Sequence, residues 1–113
     1  MKTGIELIAA ERERQMQVEG WTPDHDDGHK NGELSKAALC YASLAEDQVD
    51  RKHNDGEQMP PPEFWPWQDW GGDNWWKPSN DPVRNLVKAG ALIAAEIDRL
   101  QRKALAEPLI NAT

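Results

Sequence analysis

The sequence predicts a mainly α-helical protein: a three-helix, bundle-like single domain with a long irregular arm, rich in Trp and Pro, between helices two and three. Three observations predict this fold. Three segments carry apolar residues at helical intervals of three and four, and the second and third are separated by a stretch that Pro and Gly interrupt repeatedly. The length of 113 residues, of which 38% are hydrophobic, suits one domain with a modest core.

Helix one is predicted at about residues 4 to 19. Thr3 and Glu6 have the spacing of a capping box, which marks the start of a helix. Gly20 is placed to take the left-handed conformation that ends many helices. We expect Trp21, which follows it, to fold back on the last helical turn.

A loop followed by helix two is predicted next. Residues 21 to 30 combine Pro23 and Gly28 with a run of ionisable side chains, which indicates a loop. Asn31 is placed to cap helix two, predicted at about residues 32 to 50. The apolar stripe of this helix comprises Leu34, Ala37, Ala38, Tyr41, Ala42 and Ala45. The stripe predicts a buried face that accepts another helix.

The irregular arm is predicted at residues 51 to 81. Five of the six tryptophans lie in it, namely Trp65, Trp67, Trp70, Trp75 and Trp76. Exposing rings of this size to water is costly, so the arm is predicted to be ordered and to wrap over the helices.

Helix three is predicted at about residues 82 to 106. Asp81 and Pro82 have the order of a cap and a first-turn residue, and Pro108 is placed to end the helix. A frayed tail is predicted at residues 108 to 113. The stripe predicted to face the core comprises Val83, Leu86, Val87, Gly90, Ile93, Ala94, Ile97 and Leu100.

The net charge of -7, from 13 basic and 20 acidic residues, disfavours nucleic acid and anionic membranes as partners. The single Cys40 has no internal disulfide partner and is predicted to be a small buried residue in a reducing compartment. No segment has the length and apolarity of a signal peptide or a membrane span. We therefore expect a cytoplasmic protein.

Because the apolar stripes of the helices exceed what a three-helix monomer can cover, we also expect a homo-oligomer, a dimer or higher.

The Asp/His segment offers a candidate site. His25 and His29 are four residues apart with Asp26 and Asp27 between them, and Glu33 follows four residues later. Such ligands can hold Zn²⁺ where histidines dominate, or Mg²⁺ or Mn²⁺ where carboxylates do. An Asp-rich turn before a helix is also what capping alone would select. We adopt the second interpretation, a structural or ligand-contacting cluster without a metal or other cofactor.

The best candidate anion site lies near the start of helix three. Arg84 and Lys88 are one turn apart, and Lys77 follows two tryptophans. Cations beside aromatic faces suit an anionic, planar ligand such as a nucleotide. On helix one, Arg14 shares a face with Glu11 and is a further candidate for a phosphate. The predicted ligand-binding residues are Arg14, Trp21, His25, Asp26, Asp27, His29, Trp65, Trp67, Trp75, Trp76, Lys77, Arg84 and Lys88.

Several segments carry a resemblance: ERERQ (11–15), EGWTPDHDDGH (19–29), GELSKAALCYA (32–42), WPW (65–67), WWKP (75–78) and RNLVKAGALIAAEIDRL (84–100). Together they resemble a family of small proteins encoded by tailed phages and prophages, and the resemblance covers nearly the whole chain. It implies a phage accessory role, and such proteins often counter host immunity. We therefore expect a non-enzymatic protein that sequesters a small anionic, nucleotide-like immune signal in the cytoplasm of the host bacterium.

Two alternatives stay open. A helical bundle with inward acidic residues is similar to MazG-type all-α nucleoside triphosphate pyrophosphatases. That similarity implies a Mg²⁺ site formed by Glu11, Asp26, Asp27, Glu33 and Glu96. The other alternative is an inhibitor of a host defence enzyme that docks through exposed aromatic residues. No glycine-rich phosphate loop, nucleophile elbow or CxxC motif is present, and no catalytic residue is assigned.

Overall fold

Four α-helices form most of the protein in the computed structural model, which describes residues 1–67 and 75–106. The helices are α1 (Gly4–Gln17), α2 (Pro23–Asp27), α3 (Glu33–Arg51) and α4 (Pro82–Ala106), with a short 3-10 turn at Gly56–Gln58. The mainly α-helical fold predicted from the sequence is confirmed. Each of the three long helices ends within two residues of its predicted limits.

Both ends of α1 follow local sequence signals. The Thr3 hydroxyl accepts a hydrogen bond from the backbone N–H of Glu6 at 3.2 Å, and the Thr3 backbone N–H donates to the Glu6 carboxylate at 2.8 Å. Beyond the helix, Gly20 has a φ of 76°, a conformation that costs glycine little. The backbone N–H of Trp21 then donates to the carbonyl of Gln15 at 2.9 Å, which turns the indole into the core.

The prediction of a loop at residues 21 to 30 was wrong in part, because α2 forms one helical turn there. Thr22 caps this turn by accepting a hydrogen bond from the backbone N–H of His25 at 3.4 Å, and Pro23 occupies the first helical position. Proline suits that position because its missing N–H would have no partner in the helix.

The predicted capping role of Asn31 was also wrong. Gly32 is the N-cap residue of α3 and has a φ of 80°, which makes a non-glycine residue unfavourable there. The backbone N–H of Asn31 instead donates to the Glu33 carboxylate at 2.6 Å.

The three long helices form one layer with α4 in the middle. α4 packs against α3 along much of its length and against α1 on its other flank, while α1 and α3 hardly contact each other. The predicted stripe of α3 is confirmed, with Ala42 half-buried and the rest buried. The main core cluster comprises Trp21, Leu34, Ala37, Ala38, Cys40, Tyr41, Trp65, Ala89, Leu92 and Ala95.

The predicted stripe of α4 was largely wrong. Its buried residues are Asn85, Val87, Ala89, Ala91, Leu92, Ala95, Glu96 and Arg99. Most of the large apolar residues predicted to be buried are about half exposed, namely Val83, Leu86, Ile93, Ile97 and Leu100. The buried arc is rich in alanine, and small side chains allow neighbouring helices to approach closely. The large aliphatic residues therefore remain on the side that neither helix covers.

Two buried amides fasten the end of the arm to the helices. The Asn85 side chain accepts from the Ser79 backbone N–H at 2.8 Å and donates to the Gln48 side-chain oxygen at 2.8 Å. The Gln48 amide donates to the Asn80 carbonyl at 3.0 Å. Gly56 packs beneath this network, where an added Cβ would lie 2.1 Å from the Ser79 carbonyl oxygen. These contacts order the described arm, and sequence patterns did not predict them.

Asp81 has the predicted capping role, because its carboxylate accepts from the Val83 backbone N–H at 2.9 Å.

Two predictions fall on residues outside the described ranges, the position of Trp70 in the arm and the frayed tail at 108–113. Within the described ranges, no helix combines the length and apolarity needed to cross a membrane.

Candidate functional site

A cluster of five aromatic rings lies between α2 and the arm. We call it the aromatic cluster; it consists of Trp21, His25, His29, Trp67 and Trp75. Trp21 stacks on His25, with ring centroids 5.9 Å apart and an angle of 13° between the ring planes. The other pairs meet edge-on or tilted, with centroids between 4.8 and 6.2 Å apart. The single turn of α2 and the residues just after it therefore bring His25 and His29 onto the tryptophans.

Asp26 lies beneath the aromatic cluster and is fully buried. Its carboxylate pairs with the guanidinium of Arg12, which also donates to the Trp21 carbonyl at 3.1 Å. The second carboxylate oxygen, Oδ1, lies 3.7 Å from Nδ1 of His25. Burying a charged pair is favourable only where geometry and additional hydrogen bonds compensate its desolvation. Arg12 thus joins α1, the turn after it and α2.

Several polar atoms of this region are buried without a hydrogen-bond partner among the described residues. They are Nδ1 of His25, Oδ1 of Asp26, Nε2 of His29 and Nε1 of Trp67. Buried polar atoms are normally hydrogen-bonded, so these atoms are available to a small polar molecule or to water. Burial and the charge of His25 lower the pKa of His29, although the Glu33 carboxylate lies only 3.6 Å away and opposes this shift.

Four cations surround two carboxylates next to the aromatic cluster. We call this group the cation cluster; it consists of Arg14, Lys77, Arg84 and Lys88, with Glu11 and Glu19 between them. Arg14 donates to Glu11 through Nε at 2.8 Å and to Glu19 at 3.1 Å. Lys77 of the arm pairs with Glu19 at 3.0 Å, and Arg84 of α4 pairs with Glu11 at 2.5 Å.

Lys88 differs from the other three cations. Its ammonium donates to the backbone carbonyl of Lys77 and lies 5.6 Å from the centre of the Tyr41 ring. No described carboxylate pairs with it. Burial, assisted by the positive charge of Arg84, lowers the pKa of Lys88 to about 8. Lys88 is therefore a half-buried cation in a positively charged environment.

A small cavity connects the cation cluster with the aromatic cluster. Its volume is about 20 Å³, roughly the space that one water molecule needs. The lining residues are Glu11, Arg14, Gln15, Glu19, Trp21, Tyr41, Trp75, Lys77, Lys88 and Leu92. Trp21 and Trp75 line this cavity and also belong to the aromatic cluster, so they form a wall shared by the two clusters.

The structure brings together five of the predicted ligand-binding residues around this cavity: Arg14, Trp21, Trp75, Lys77 and Lys88. Arg84 reaches the same group through Glu11, while His25, His29, Trp67 and Asp26 lie behind the shared wall. Asp27 lies apart and pairs with Arg102 at 2.7 Å.

Two of the predicted ligand-binding tryptophans pack around Tyr41 instead. Trp65 is 2% exposed and meets Tyr41 edge-on, and Trp76 stacks on the same ring with centroids 4.8 Å apart. The sequence patterns indicate no site role for Glu19, Tyr41 or Arg12. Tyr41 was on the predicted α3 stripe, but only the fold shows that its hydroxyl accepts from the Lys77 backbone N–H at 3.0 Å.

Each carboxylate that the Mg²⁺ alternative requires lies within ion-pair distance of an Arg or His side chain. Glu11 pairs with Arg14 and Arg84, and Asp26 pairs with Arg12. The remaining pairs are Asp27 with Arg102, Glu33 with His29, and Glu96 with Arg99. In the part of the chain that the structure describes, no three His, Cys, Asp or Glu side chains are grouped so that they could hold a metal ion.

Comparison with known proteins adds no assignment, because the chain matches no protein-family model, no curated protein and no solved structure. The functional interpretation therefore depends on the site itself. The site has more cations than carboxylates beside the wall of Trp21 and Trp75, although the whole protein has a net charge of -7.

Proposed function

We propose that the protein binds and sequesters a small anionic, planar ligand, such as a nucleotide, between the cation cluster and the wall of Trp21 and Trp75. The observation that supports this proposal is a local excess of positive charge. Three cations, Arg14, Lys77 and Arg84, share two carboxylates, and the fourth, Lys88, has no carboxylate partner among the described residues. An anion placed beside Lys88 would offset this excess, and because Lys88 is partly shielded from solvent the pairing would be stronger than in bulk water.

The shared wall suits the planar part of such a ligand. Stacking of a base on an aromatic side chain contributes about 1 to 3 kcal/mol. Trp75 also has a φ of 60°, which is unusual for a bulky residue, and strained residues of this kind cluster at ligand sites. The cavity holds about one water molecule. A nucleotide therefore requires the segment 75–77 to move away from Tyr41 and Glu19.

The biological role that we propose is counter-defence in the cytoplasm of an infected bacterium. This part of the proposal depends on the resemblance of the sequence to small proteins of tailed phages and prophages. Sequestration needs tight binding of the ligand without turnover. The carboxylates near the site, Glu11 and Asp26, are paired with arginines instead of being free to hold Mg²⁺, and this favours binding over metal-dependent hydrolysis.

Calorimetric titration with adenine dinucleotides, cyclic oligonucleotides and ADP-ribose tests the proposal. The Lys88→Met variant keeps the aliphatic chain and removes the charge, so affinity should fall by roughly ten- to a hundred-fold. Lys36→Met, at an exposed position of α3, is the matched control and should bind like the wild type. A wild-type protein that binds none of these ligands below millimolar concentration would overturn the proposal.

A proton-linkage measurement makes the test more specific. A bound anion would raise the pKa of Lys88, which is about 8 in the free protein. Binding at pH 8 to 9 should therefore take up protons, and the apparent enthalpy should change between buffers of different ionisation enthalpy. Lys88→Met should abolish this uptake. The enzymatic alternative is tested by incubating the protein with nucleoside triphosphates, with and without Mg²⁺, and measuring released pyrophosphate. Release of pyrophosphate that requires Mg²⁺ would favour the pyrophosphatase over the sequestering protein.

A further inference from the structure

One side of α4 carries a row of large apolar side chains that stay about half exposed, although Ile8 of α1 packs on Gly90 in the same stretch. We call it the α4 row; it consists of Val83, Leu86, Ile93, Ile97 and Leu100, each between 49% and 54% exposed. Scattered exposed apolar residues are ordinary on protein surfaces, but a continuous patch of this kind marks an interaction site.

The α4 row has the spacing of a coiled-coil seam. With Gly90, its members follow one another at alternating intervals of three and four residues. Gly90 does not interrupt the row, because the side chain of Ile8 from α1 fills the space above it. A Cβ at Gly90 would lie 2.5 Å from the Ile8 Cδ1 atom.

The α4 row lies opposite the arm. Lys88 and Leu92 of α4 line the cavity beneath Trp75, and helical geometry places Ile93 and Ile97 on the other side of the helix. Further exposed aliphatic residues border this surface. Val49 of α3 shares a groove with Leu86, and helical geometry places Leu39 one turn before Ala42 of that groove. Ile5 lies one turn before Ile8, which packs on Gly90. These three residues are 64%, 60% and 83% exposed. The layer of three helices is thus covered by the arm on one side and open on the other.

We infer that a second copy of this chain covers the α4 row, forming a two-fold symmetric dimer. A two-fold interface uses the same patch on both subunits, and a row at heptad spacing is complementary to itself. The row itself contains no charged residue. Glu46 and Asp50 line the groove between Leu86 and Val49 and would lie at the border of the interface.

The available area also suits a dimer. If about 100 Å² of each of the eight exposed aliphatic side chains is buried, each subunit contributes about 800 Å², the share of a standard stable interface. This inference does not use the proposed ligand. Val83 borders the cation cluster in the groove that Glu11, Arg14 and Arg84 line, so the test uses Ile93 and Ile97 instead.

Sedimentation velocity tests the dimer directly. The wild type should sediment with twice the 12.8 kDa mass of one chain. The double variant Ile93→Glu/Ile97→Glu should dimerise at least about 100-fold more weakly, with an unchanged helical circular dichroism spectrum. Phe64→Glu, at a half-exposed position on the arm, is the control and should stay dimeric. A wild-type protein that is monomeric at about 100 µM overturns the inference.

Disulfide trapping keeps the test decisive if the double variant does not fold. The single native cysteine, Cys40, is buried, and burial raises its pKa to about 11, so its thiol is unreactive. Ile97→Cys should form covalent dimers when the native protein is mildly oxidised. It should form few when the same oxidation is carried out in urea, where the subunits are unfolded and separated. Phe64→Cys should remain uncrosslinked, and equal crosslinking of both variants would also overturn the inference.

Discussion

Asp26 and Asp27 are adjacent in sequence, but their side chains lie in opposite environments. Asp26 is fully buried and pairs with Arg12, whose side chain is itself nearly buried. The Asp27 side chain is 49% exposed and pairs with Arg102 at the surface. Ion pairs at the surface contribute little to stability, whereas removing one member of a buried pair leaves an unpaired charge in the interior.

This contrast predicts different effects for the same substitution at the two positions. Asp26→Asn should lower the free energy of unfolding by about 3 to 5 kcal/mol, because the Arg12 guanidinium loses its counter-charge. Asp27→Asn should lower it by less than about 1 kcal/mol. Urea denaturation at neutral pH measures both values. Similar losses in the two variants would contradict the assignment of Asp26 as a buried structural anion.

Lys88 predicts a change of stability with alkaline pH. Its pKa is lowered to about 8, whereas the unfolded chain keeps the ordinary value of 10.5. Between these values the unfolded state binds more protons, so the free energy of unfolding should rise as the pH increases from 8 to 10. Denaturation of Lys88→Met should lack this rise, and Lys36→Met should retain it. The raised pKa of the Cys40 thiol acts in the opposite direction over this pH range, so the decisive quantity is the difference between wild type and Lys88→Met. Equal slopes in the two proteins would contradict the burial of a charged Lys88.

At the scale of elements, the described part of the arm beyond the 3-10 turn at Gly56–Gln58 is irregular and is held by rings and amides instead of a hydrogen-bonded ladder. Trp65 is 2% exposed and contacts the rings of Tyr41, Trp67 and Trp76. Trp76 adds a hydrogen bond from its indole nitrogen to the Met59 carbonyl at 2.9 Å. The aromatic residues thus replace the Leu, Ile and Phe that form the core of many domains.

Adjacent residues of the arm provide a matched test of this packing. Trp65→Ala should cost about 3 to 5 kcal/mol of stability, because it removes a large ring and leaves a cavity. Phe64→Ala should cost less than about 1 kcal/mol, since Phe64 is half exposed. Thermal unfolding measures the difference, and limited proteolysis should show faster cleavage near residue 60 in Trp65→Ala. Equal melting temperatures would mean that the arm does not contribute to the fold.

At the scale of the whole molecule, ion pairs connect elements that are distant in sequence. Burial alone would raise the pKa of Glu11, but hydrogen bonds from Arg14 and Arg84 outweigh it and leave the pKa below its ordinary value. The pKa of Glu19 is lowered in the same way, with Lys77 and Arg14 overcoming the effect of burial. Glu11 thus attaches α1 to α4, and Glu19 attaches the turn after α1 to the arm.

The lowered pKa values of Glu11 and Glu19 predict acid sensitivity. At pH values below about 4.5 the unfolded chain takes up protons before these two carboxylates do, so the free energy of unfolding should fall with falling pH. The double variant Glu11→Gln/Glu19→Gln should be less stable at pH 7 and should show a shallower loss in acid. Glu13→Gln, exposed on the same helix, should behave like the wild type. Denaturation from pH 7 to pH 3 makes the comparison.

The sequence alone determined the helices and most of their ends. The capping box at Thr3, the left-handed Gly20 and the Asp81 cap are interactions between residues a few positions apart, so they can be predicted without a fold. The sequence also indicated the cations of the candidate site, because their spacing on α4 and beside the tryptophans is local.

Only the tertiary structure decided which side of α4 is buried and which charges meet. A helical period fixes the angles between residues but not the rotation of the helix against its neighbours, so the α4 row, predicted as core, lies exposed. Asp26 pairs with Arg12, whereas Arg14 pairs with Glu11 and Glu19. Ion pairs that join α1 to the arm or to α4 depend on how the chain packs. The attraction between two charges depends on their separation in space, which the sequence separation of the residues does not give.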